Sequence, residues 1–271
     1  MKRIWVYVGV AALVFFALFP FAWAASTAFK SKAEAFAMPT YWIPRQFTFD
    51  NFVSVWKSQP VGRQFANSLL VSVVSTFVAT TLAALAGYGV SRFPFRRQGA
   101  FLRLILVAQM FPGVLLILPY FMVMRKLGLI NSYTALILAY TSFALPLSAW
   151  MMRGYFAAIP VELDEAALVD GCTRLQALRR VVLPVSLPGL SATMVFTFMV
   201  AWSEYLFALV LTTNRSKQVL TVGLASLLQQ YGIEWNQLMA LGVIAIIPIT
   251  LIFLFLERFL VYGMTAGAVK G

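Results

Sequence analysis

Side chains that commonly carry out chemistry are scarce in this 271-residue sequence. It contains no histidine, and its single cysteine, Cys172, has no second cysteine for an internal disulfide and no histidine for a mixed metal site. No lysine follows a glycine, so the P-loop ending G-K-[ST] is absent. Histidine-based catalysis and P-loop nucleotide hydrolysis are therefore excluded for this chain, and we expect it to bind no metal and no cofactor of its own.

Acidic residues could also do chemistry, and four of the nine lie between residues 153 and 188. Pro160 has a backbone φ suited to a first helical turn. Carboxylates that interact favourably with a helix dipole follow it at Glu162, Asp164 and Glu165. Gly171 is typical of a helix end. The pattern predicts a short acidic helix that ends at this glycine.

A second short helix is predicted directly after this turn. Thr173 and Gln176 form the T-x-x-Q pattern of a capping box. Arg179 and Arg180 occupy its expected last turn, and Pro184 marks the predicted stop. The two helices would form a knob on one membrane face, where a soluble partner could bind it. An amphipathic loop helix lying at the lipid headgroups would explain the same pattern.

The elements that must position this loop are apolar. Hydrophobic residues make up 61% of the chain and charged residues 11%, against about 45–50% and about 25% in ordinary soluble domains. Because about 20 apolar residues cross a bilayer, we predict an all-α membrane protein whose single domain, 1–271, has six transmembrane helices. The predicted spans are 4–25, 65–89, 101–124, 133–152, 189–212 and 238–260, with a cytoplasmic loop at 153–188 and a cytoplasmic tail at 261–271.

The first span has a second interpretation. Lys2 and Arg3 precede an apolar run that ends with residues 22–24 (AWA), which is similar to the A-x-A cleavage site of a secretory signal. The apolar run has about 20 residues, beyond the roughly 7–15 of a signal peptide. We therefore expect this span to be retained as a membrane helix.

The basic residues predict the orientation. The short joint between the second and third spans is crowded with Arg92, Arg96, Arg97 and Arg103. The positive-inside rule places this joint, and with it both termini, in the cytoplasm. The same rule and anionic headgroups account for the net charge of +12, so we do not expect nucleic acid as a partner. The outer loop at 27–64 is rich in aromatic residues, which predicts an interfacial segment or a short amphipathic helix.

The acidic loop resembles a known motif. The run 165–171 (EAALVDG), followed by Leu183-Pro184, resembles the EAA loop of binding-protein-dependent ABC importer permeases. The resemblance implies a type I ABC importer permease fold in a bacterial or archaeal inner membrane, and a coupling helix that docks on an ATP-binding subunit. It assigns that role to Glu165, Ala166, Ala167, Asp170, Gly171 and Pro184. Cys172 and Leu178 depart from the family, which usually has alanine and an aromatic residue there.

Other segments resemble the carbohydrate, maltose-type branch of this family. They are 49–52 (FDNF), 202–208 (WSEYLFA), 221–224 (TVGL), 238–240 (LMA) and the ending 263–271 (GMTAGAVKG). The resemblance implies five kinds of partner: a related permease that forms a heterodimer with this chain, two ATPase subunits that hold ATP and Mg, a binding protein outside the membrane, a sugar and the lipid bilayer. In that branch the tail contacts the ATPase subunits, which implies this role for Gly267, Lys270 and Gly271.

Glu204 is an acidic residue inside a predicted span, where an unpaired charge costs roughly 2.5–3.5 kcal/mol by insertion scales. It must therefore face protein or water. On one continuous helix, Trp202 and Tyr205 would share a face with Glu204 about 100° away, and the three could line a wide sugar pathway. An interhelical hydrogen bond from Glu204, with both aromatic rings as packing, would explain the same residues.

These features predict a non-catalytic transport subunit, the permease of an ATP-driven sugar importer that works by alternating access. A proton-coupled secondary transporter with Glu204 as its relay would account for the spans but not for the EAA loop. An ABC importer for a non-sugar solute would keep the loop but should lack the sugar-type segments. The identity of the sugar and the choice between a heterodimeric and a homodimeric permease pair stay open.

Overall fold

The computed structural model describes residues 2–229 and 234–268, and regular secondary structure within these ranges is helical throughout. A π-type turn at Leu178–Val182 separates α9 from α10. The helices are α1 (Lys2–Ala28), α2 (Lys32–Ala35), α3 (Asp50–Ser58), α4 (Val61–Arg92), α5 (Gln98–Gln109), α6 (Gly113–Lys126), α7 (Tyr133–Ala157), α8 (Glu162–Val169), α9 (Arg174–Ala177), α10 (Leu183–Val185), α11 (Leu187–Ser203), α12 (Leu206–Leu211), α13 (Leu220–Gln229) and α14 (Trp235–Ala268).

Four helices are long and apolar enough to cross a membrane: α1, α4, α7 and the part of α14 from residue 235 to residue 259. Two further spans are obtained if α5 with α6, and the helical run 174–185 with α11, each count as one bent span. The predicted all-helical membrane architecture is confirmed, and six spans is the upper count for the described part of the chain. None of the most apolar stretch of α1 is buried within the chain, so α1 needs lipid or another polypeptide around it.

The predicted span at 101–124 is formed by two helices, α5 and α6, with a sharp bend between them. The chain bends by 93° between α5, which ends at Gln109, and α6, which begins at Gly113. Pro112 directly precedes α6, where its fixed φ and its missing N–H favour a helix start. Pro119 lies inside α6. The chain therefore turns at the first of these two prolines.

The predicted span at 189–212 is also interrupted. Helix α11 ends at Ser203, Glu204 has extended backbone angles (φ −69°, ψ 132°), and α12 begins at Leu206. The Glu204 carboxylate accepts the backbone N–H groups of Phe207 (2.8 Å) and Ala208 (3.1 Å). A helix start leaves such N–H groups without backbone partners. The prediction of a continuous helix is wrong, because Glu204 caps a new helix.

One compact unit consists of residues 1–65 and 219–248. Its helix α3 is held by the buried side chain of Asn51, whose Nδ2 donates to the carbonyl oxygens of Ala28 and Lys30, both at 2.7 Å. Asn236 donates to Oδ1 of Asn51 at 2.6 Å. A cluster of aromatic rings, with centroids 4.4 to 6.2 Å apart, is formed by Phe29, Phe47, Phe49 and Phe52. The short helix expected in the 27–64 loop is therefore present as α3.

The other unit consists of residues 66–218 and 249–271. In its described part, α7 packs closely on α11, because a Cβ on Gly189 would overlap the ring of Tyr155. A Cβ on Gly87 of α4 would lie 2.7 Å from the backbone nitrogen of Arg153, near the end of α7. The contact at Gly87 brings the ends of α4 and α7 together, and the loop that follows α7 packs on both ends.

Candidate functional site

The loop that follows α7 is the strongest candidate site, and its first half is α8. Three acidic side chains lie in the first turn of this helix, as predicted: Glu162, Asp164 and Glu165. Gly171 follows the helix with a φ of +84°, a left-handed conformation that glycine adopts without strain. The N–H of Cys172 donates to the carbonyl of Ala167 at 2.9 Å and closes this turn. The predicted helix and its glycine end are confirmed.

The second half of the loop begins with the predicted capping box. The N–H of Gln176 donates to the Thr173 hydroxyl at 3.3 Å, and the N–H of Thr173 donates to the Gln176 side chain at 2.7 Å. The chain then continues through the π-type turn into α10, whose first turn contains Pro184. The helical run 174–185 ends one residue after Pro184, so the predicted stop at this proline is confirmed to within one residue. The break comes at Ser186, where α11 begins.

The inner face of α8 contacts α4 through one carboxylate. Oδ1 of Asp164 accepts the hydroxyl of Tyr88 at 2.5 Å, and Oδ2 accepts Nε of Arg92 at 2.8 Å. Nη2 of Arg92 also donates to the carbonyl of Ile159 at 3.0 Å. The side chains of Arg92 and Asp164 are each 3% exposed, so water screens their attraction weakly. Tyr88 and Arg92 reach the same carboxylate because they are four residues apart on one helix face.

Apolar packing continues this contact. A cluster of buried, mainly apolar side chains joins the ends of α4 and α7 to the second half of the loop. Its members are Ala83, Ala84, Tyr88, Ala149, Met152, Phe156, Leu178 and Val182. The rings of Tyr88 and Phe156 meet edge to face, with centroids 5.9 Å apart. The Arg174 guanidinium of α9 lies 5.2 Å from the ring centroid of Phe93, directly after α4. Both halves of the loop are therefore anchored on the same two helix ends.

The opposite side of the loop is exposed. Val169 is 87% exposed and Leu175 is 65% exposed. A shallow depression in the same part of the loop is lined by Thr173, Leu175, Gln176, Arg179 and Arg180. Exposed apolar side chains beside charged ones are typical of a surface that binds another protein. Within residues 2–229 and 234–268, no three His, Cys, Asp or Glu side chains come together to hold a metal ion.

The predicted coupling residues divide between the two faces of the loop. An outer position, available to a partner, is found for Glu165, Ala166, Asp170 and Gly171. Ala167 is buried on the inner side. Pro184 is exposed but lies beyond the π-type turn, in α10. The EAA run therefore offers its first alanine to solvent and uses its second for packing.

The three residues predicted to line a substrate pathway lie in different structural settings. Trp202 is buried and stacks on Phe198 within α11, with ring centroids 5.5 Å apart. Glu204 caps α12, and Tyr205 lies between the two helices. The predicted common helix face of Trp202 and Tyr205 is wrong because α11 ends at Ser203. Contact of these residues with a substrate stays a prediction.

Comparison with protein families gives one match that covers the loop and most of the chain. Residues 79–265 match the family described as "Binding-protein-dependent transport system inner membrane component". The chain belongs to this family. The resemblance carried by the EAA loop is thereby confirmed, and the protein is a multi-pass permease of the inner membrane.

Two curated relatives match the permease over almost its whole length. The sulfoquinovosyl glycerol transport system permease protein SmoH of Agrobacterium fabrum is 34% identical over 265 residues, covering 98% of this chain and 93% of SmoH. The diacetylchitobiose uptake system permease protein DasC of Streptomyces coelicolor is 35% identical over 269 residues, covering 99% of this chain and 98% of DasC.

A solved structure shares the fold of this permease. It is a chain of a bacterial ABC transporter involved in the import of the acidic polysaccharide alginate, with a TM-score of 0.77 and 23% identity over 95% of this chain and 96% of that chain. The type I ABC importer permease fold expected from the sequence is confirmed.

Two residues of the permease site, Tyr88 and Arg92, are not identified by the sequence patterns. The sequence patterns identify Arg92 only as one of the basic residues that predict the orientation, and they give Tyr88 no role. A usable signal was their i, i+4 spacing at the end of a span, opposite an acidic loop helix. In the predicted tail, the backbone of Gly267 belongs to α14, whereas Lys270 and Gly271 lie outside the described residues. The tail contact stays a prediction.

Proposed function

We propose that this chain is the translocating subunit of an ATP-driven importer for a sugar or oligosaccharide, with both termini in the cytoplasm. The observation that carries the proposal is the two-sided loop, exposed at Val169 and Leu175 on one side and anchored through Asp164 on the other. The names of SmoH and DasC support a sugar or a sugar conjugate as the substrate. A binding protein outside the membrane would deliver it, as the family description indicates.

The outer face of the loop is the proposed docking surface for an ATPase subunit. Burying exposed apolar side chains such as Val169 contributes about 25 cal/mol for each Å² removed from water, which favours docking into a cleft. The docking residues would be Glu165, Ala166, Asp170 and Gly171, with Ala167 packed on the inner side and the exposed Pro184 at the end of the second half. The two ATPase subunits would hold ATP and Mg, and this chain would bind no cofactor. The tail residues proposed to reach the same subunits are Gly267, Lys270 and Gly271.

Transport follows from the anchoring of the loop. Movement of an ATPase subunit would displace α8 and α9, and these are joined to the ends of α4 and α7 by the buried contacts described above. Such a displacement moves the spans and can open the pathway to alternate sides of the membrane. The pathway itself would lie between this permease and a related one, in a heterodimer.

The break at Glu204 is the proposed part of this chain that lines the pathway. Non-helical backbone at membrane depth is tolerated where it is buried in protein or lines a water-filled cavity. Interrupted helices of this kind form substrate sites in many transporters. Glu204 and Tyr205, both half-buried, would contact the sugar, with Trp202 packed behind them.

The test is uptake of labelled oligosaccharides into proteoliposomes that contain the complete complex, with its binding protein and ATP on opposite sides. Glu165→Ala combined with Gly171→Pro should abolish most uptake, because it removes an outer carboxylate and the left-handed turn that ends α8. Glu162→Ala, which removes another exposed carboxylate of α8 that is not among the docking residues, is the matched control and should retain uptake.

Two outcomes would contradict the proposal. Uptake without ATP that follows an imposed proton gradient and disappears with Glu204→Gln would identify a secondary transporter. The second is ATP-driven uptake of amino acids or inorganic anions with no uptake of any mono- or oligosaccharide tested. That result would reject a sugar as the substrate but would leave the ABC importer function standing.

A further inference from the structure

Helix α8 is too short to hold its position by itself. Its eight residues are fewer than the about 12–15 at which isolated helices become marginally stable in water. It is flanked by turns at residues 158–161 and 170–173. Its helical form and its place relative to the spans therefore depend on contacts with the rest of the chain.

The inner contacts of α8 include directional polar ones. The Tyr88 hydroxyl and Arg92 Nε each bind one oxygen of Asp164, while Arg92 Nη2 binds the Ile159 carbonyl in the turn before α8. Arg92 thus holds the helix and its entry turn at the same time. The hydrophobic effect is non-directional, so these hydrogen bonds add a directional restraint on α8 to the one that close packing supplies.

The burial of these charges argues for a role in geometry. Apolar residues of similar volume often replace a buried ion pair with no loss of stability. The side chains of Arg92 and Asp164 are almost completely buried, and Nε and Nη2 of Arg92 and both carboxylate oxygens of Asp164 have named partners. A contact that fixes direction is needed where a displacement must pass from one helix to another.

We propose that Tyr88, Arg92 and Asp164 form a clamp of positioning residues, which makes α8 move together with α4. This inference rests on the proposed coupling of the loop to an ATPase subunit. Without the clamp, the ATPase subunits would still dock and hydrolyse ATP, but α8 would shift against α4 and less of each displacement would reach the spans.

The experiment measures sugar transported per ATP hydrolysed by the complete complex in proteoliposomes. The key variant is Arg92→Met with Asp164→Leu, which keeps apolar volume at the contact and removes its direction. We expect this ratio to fall at least about five-fold, the lower end of typical couplings between two sites, while ATP hydrolysis continues. Arg96→Met removes a neighbouring exposed arginine outside the clamp and should leave the ratio unchanged.

Two milder variants test the clamp even if the double variant does not assemble. Tyr88→Phe keeps the ring packed on Phe156 and removes one donor. Arg92→Lys keeps the charge but cannot reach both the carboxylate and the Ile159 carbonyl. Both should lower the ratio by less than the double variant does, in complexes that melt at the wild-type temperature or a few degrees below it.

The clamp would be overturned if the double variant transported as much sugar per ATP hydrolysed as the wild type. If the double variant fails to assemble, the same result in both milder variants would overturn it. Such a result with Glu165→Ala plus Gly171→Pro still inactive would leave the coupling function standing. Full uptake by Glu165→Ala plus Gly171→Pro would instead contradict the proposed coupling function, and with it the role of the clamp in transmission.

Discussion

Two short helices outside the spans, α3 and α8, are held in place by different chemistry. Helix α3 has nine residues and is fixed by the neutral amide of Asn51 and a cluster of phenylalanine rings. Helix α8 has eight residues and is fixed by the carboxylate of Asp164, which binds a buried arginine and a tyrosine. Neither helix is long enough to be stable alone, so each depends on its anchor.

The difference lies in what happens when an anchor is disturbed. An amide hydrogen bond or a ring contact that is lost leaves no uncompensated charge behind, so its loss costs less. A buried ion pair that loses one partner leaves the other charge without compensation. The charged anchor therefore costs more to break, which is consistent with a helix proposed to transmit movement.

The largest expected effect is that of Asp164→Ala. Removing one partner of a buried pair typically costs about 3–5 kcal/mol, because the remaining charge stays desolvated. We expect a loss of this size in the free energy of local opening for the amides of α8, measured by hydrogen exchange in the assembled complex. Glu162→Ala, an exposed acid in the same turn, is the control and should change this value little. Equal effects of the two variants would show that the buried pair does not anchor α8.

A smaller effect is expected from Asn51→Ala in α3. The substitution removes the donors to the carbonyls of Ala28 and Lys30, and a buried polar group left without a partner costs about 1–3 kcal/mol. The amides of residues 50–58 should lose protection by about this amount, while Lys57→Ala, on the exposed side of the same helix, should have little effect. A loss as large as that of Asp164→Ala would contradict the distinction between the two anchors.

Local features of the loop could be predicted from the sequence because their causes lie within a few residues. The capping box joins Thr173 to Gln176, and the left-handed turn needs only Gly171 itself. The clamp could not be predicted in this way, since Asp164 binds residues 72 and 76 positions earlier in the chain. Nothing in the local pattern of α8 identifies those partners.

The two interrupted spans show a second limit of sequence patterns. The segment around Glu204 is apolar on both sides, so hydropathy gives the same value for one helix and for two. The carboxylate decides between them by accepting the N–H groups of Phe207 and Ala208. Here the backbone hydrogen bonds decide the outcome, and composition does not report them.

A still smaller effect is expected from Thr173→Ala, which tests the second half of the loop that follows α7. The variant removes the side-chain acceptor for the Gln176 N–H, and loss of such a cap costs about 1 kcal/mol. Hydrogen exchange of the amides of 174–177 should increase, while α8 keeps its protection because its own anchor is intact. Thr173→Ser retains the hydroxyl and should restore the wild-type protection. Loss of protection in α8 as well would show that the two halves of the loop open as one unit.

The smallest effect is expected at Lys30, a buried lysine whose backbone carbonyl accepts from Asn51 of α3. Its ammonium lies 4.2 Å from the ring centroid of Trp23, and burial lowers the pKa of Lys30, an effect that Glu34 partly opposes. Between the lowered folded-state pKa and the unfolded value of about 10.4, the unfolded chain binds more protons. Stability of this segment should therefore rise as the pH is raised through the lowered pKa toward the unfolded value.

Lys30→Met should abolish this pH dependence. The measurement is hydrogen exchange of the amides of residues 50–58 at several pH values, corrected for intrinsic exchange rates and expressed as the free energy of local opening. Lys32→Met is the control, because the exposed pair of Lys32 with Glu234 contributes little and leaves Lys30 titrating. A wild-type chain without any rise would show that the folded segment opens readily enough for water to solvate Lys30. In that case α3 would be held less tightly than its aromatic packing indicates, and the contrast with the charged anchor of α8 would be larger.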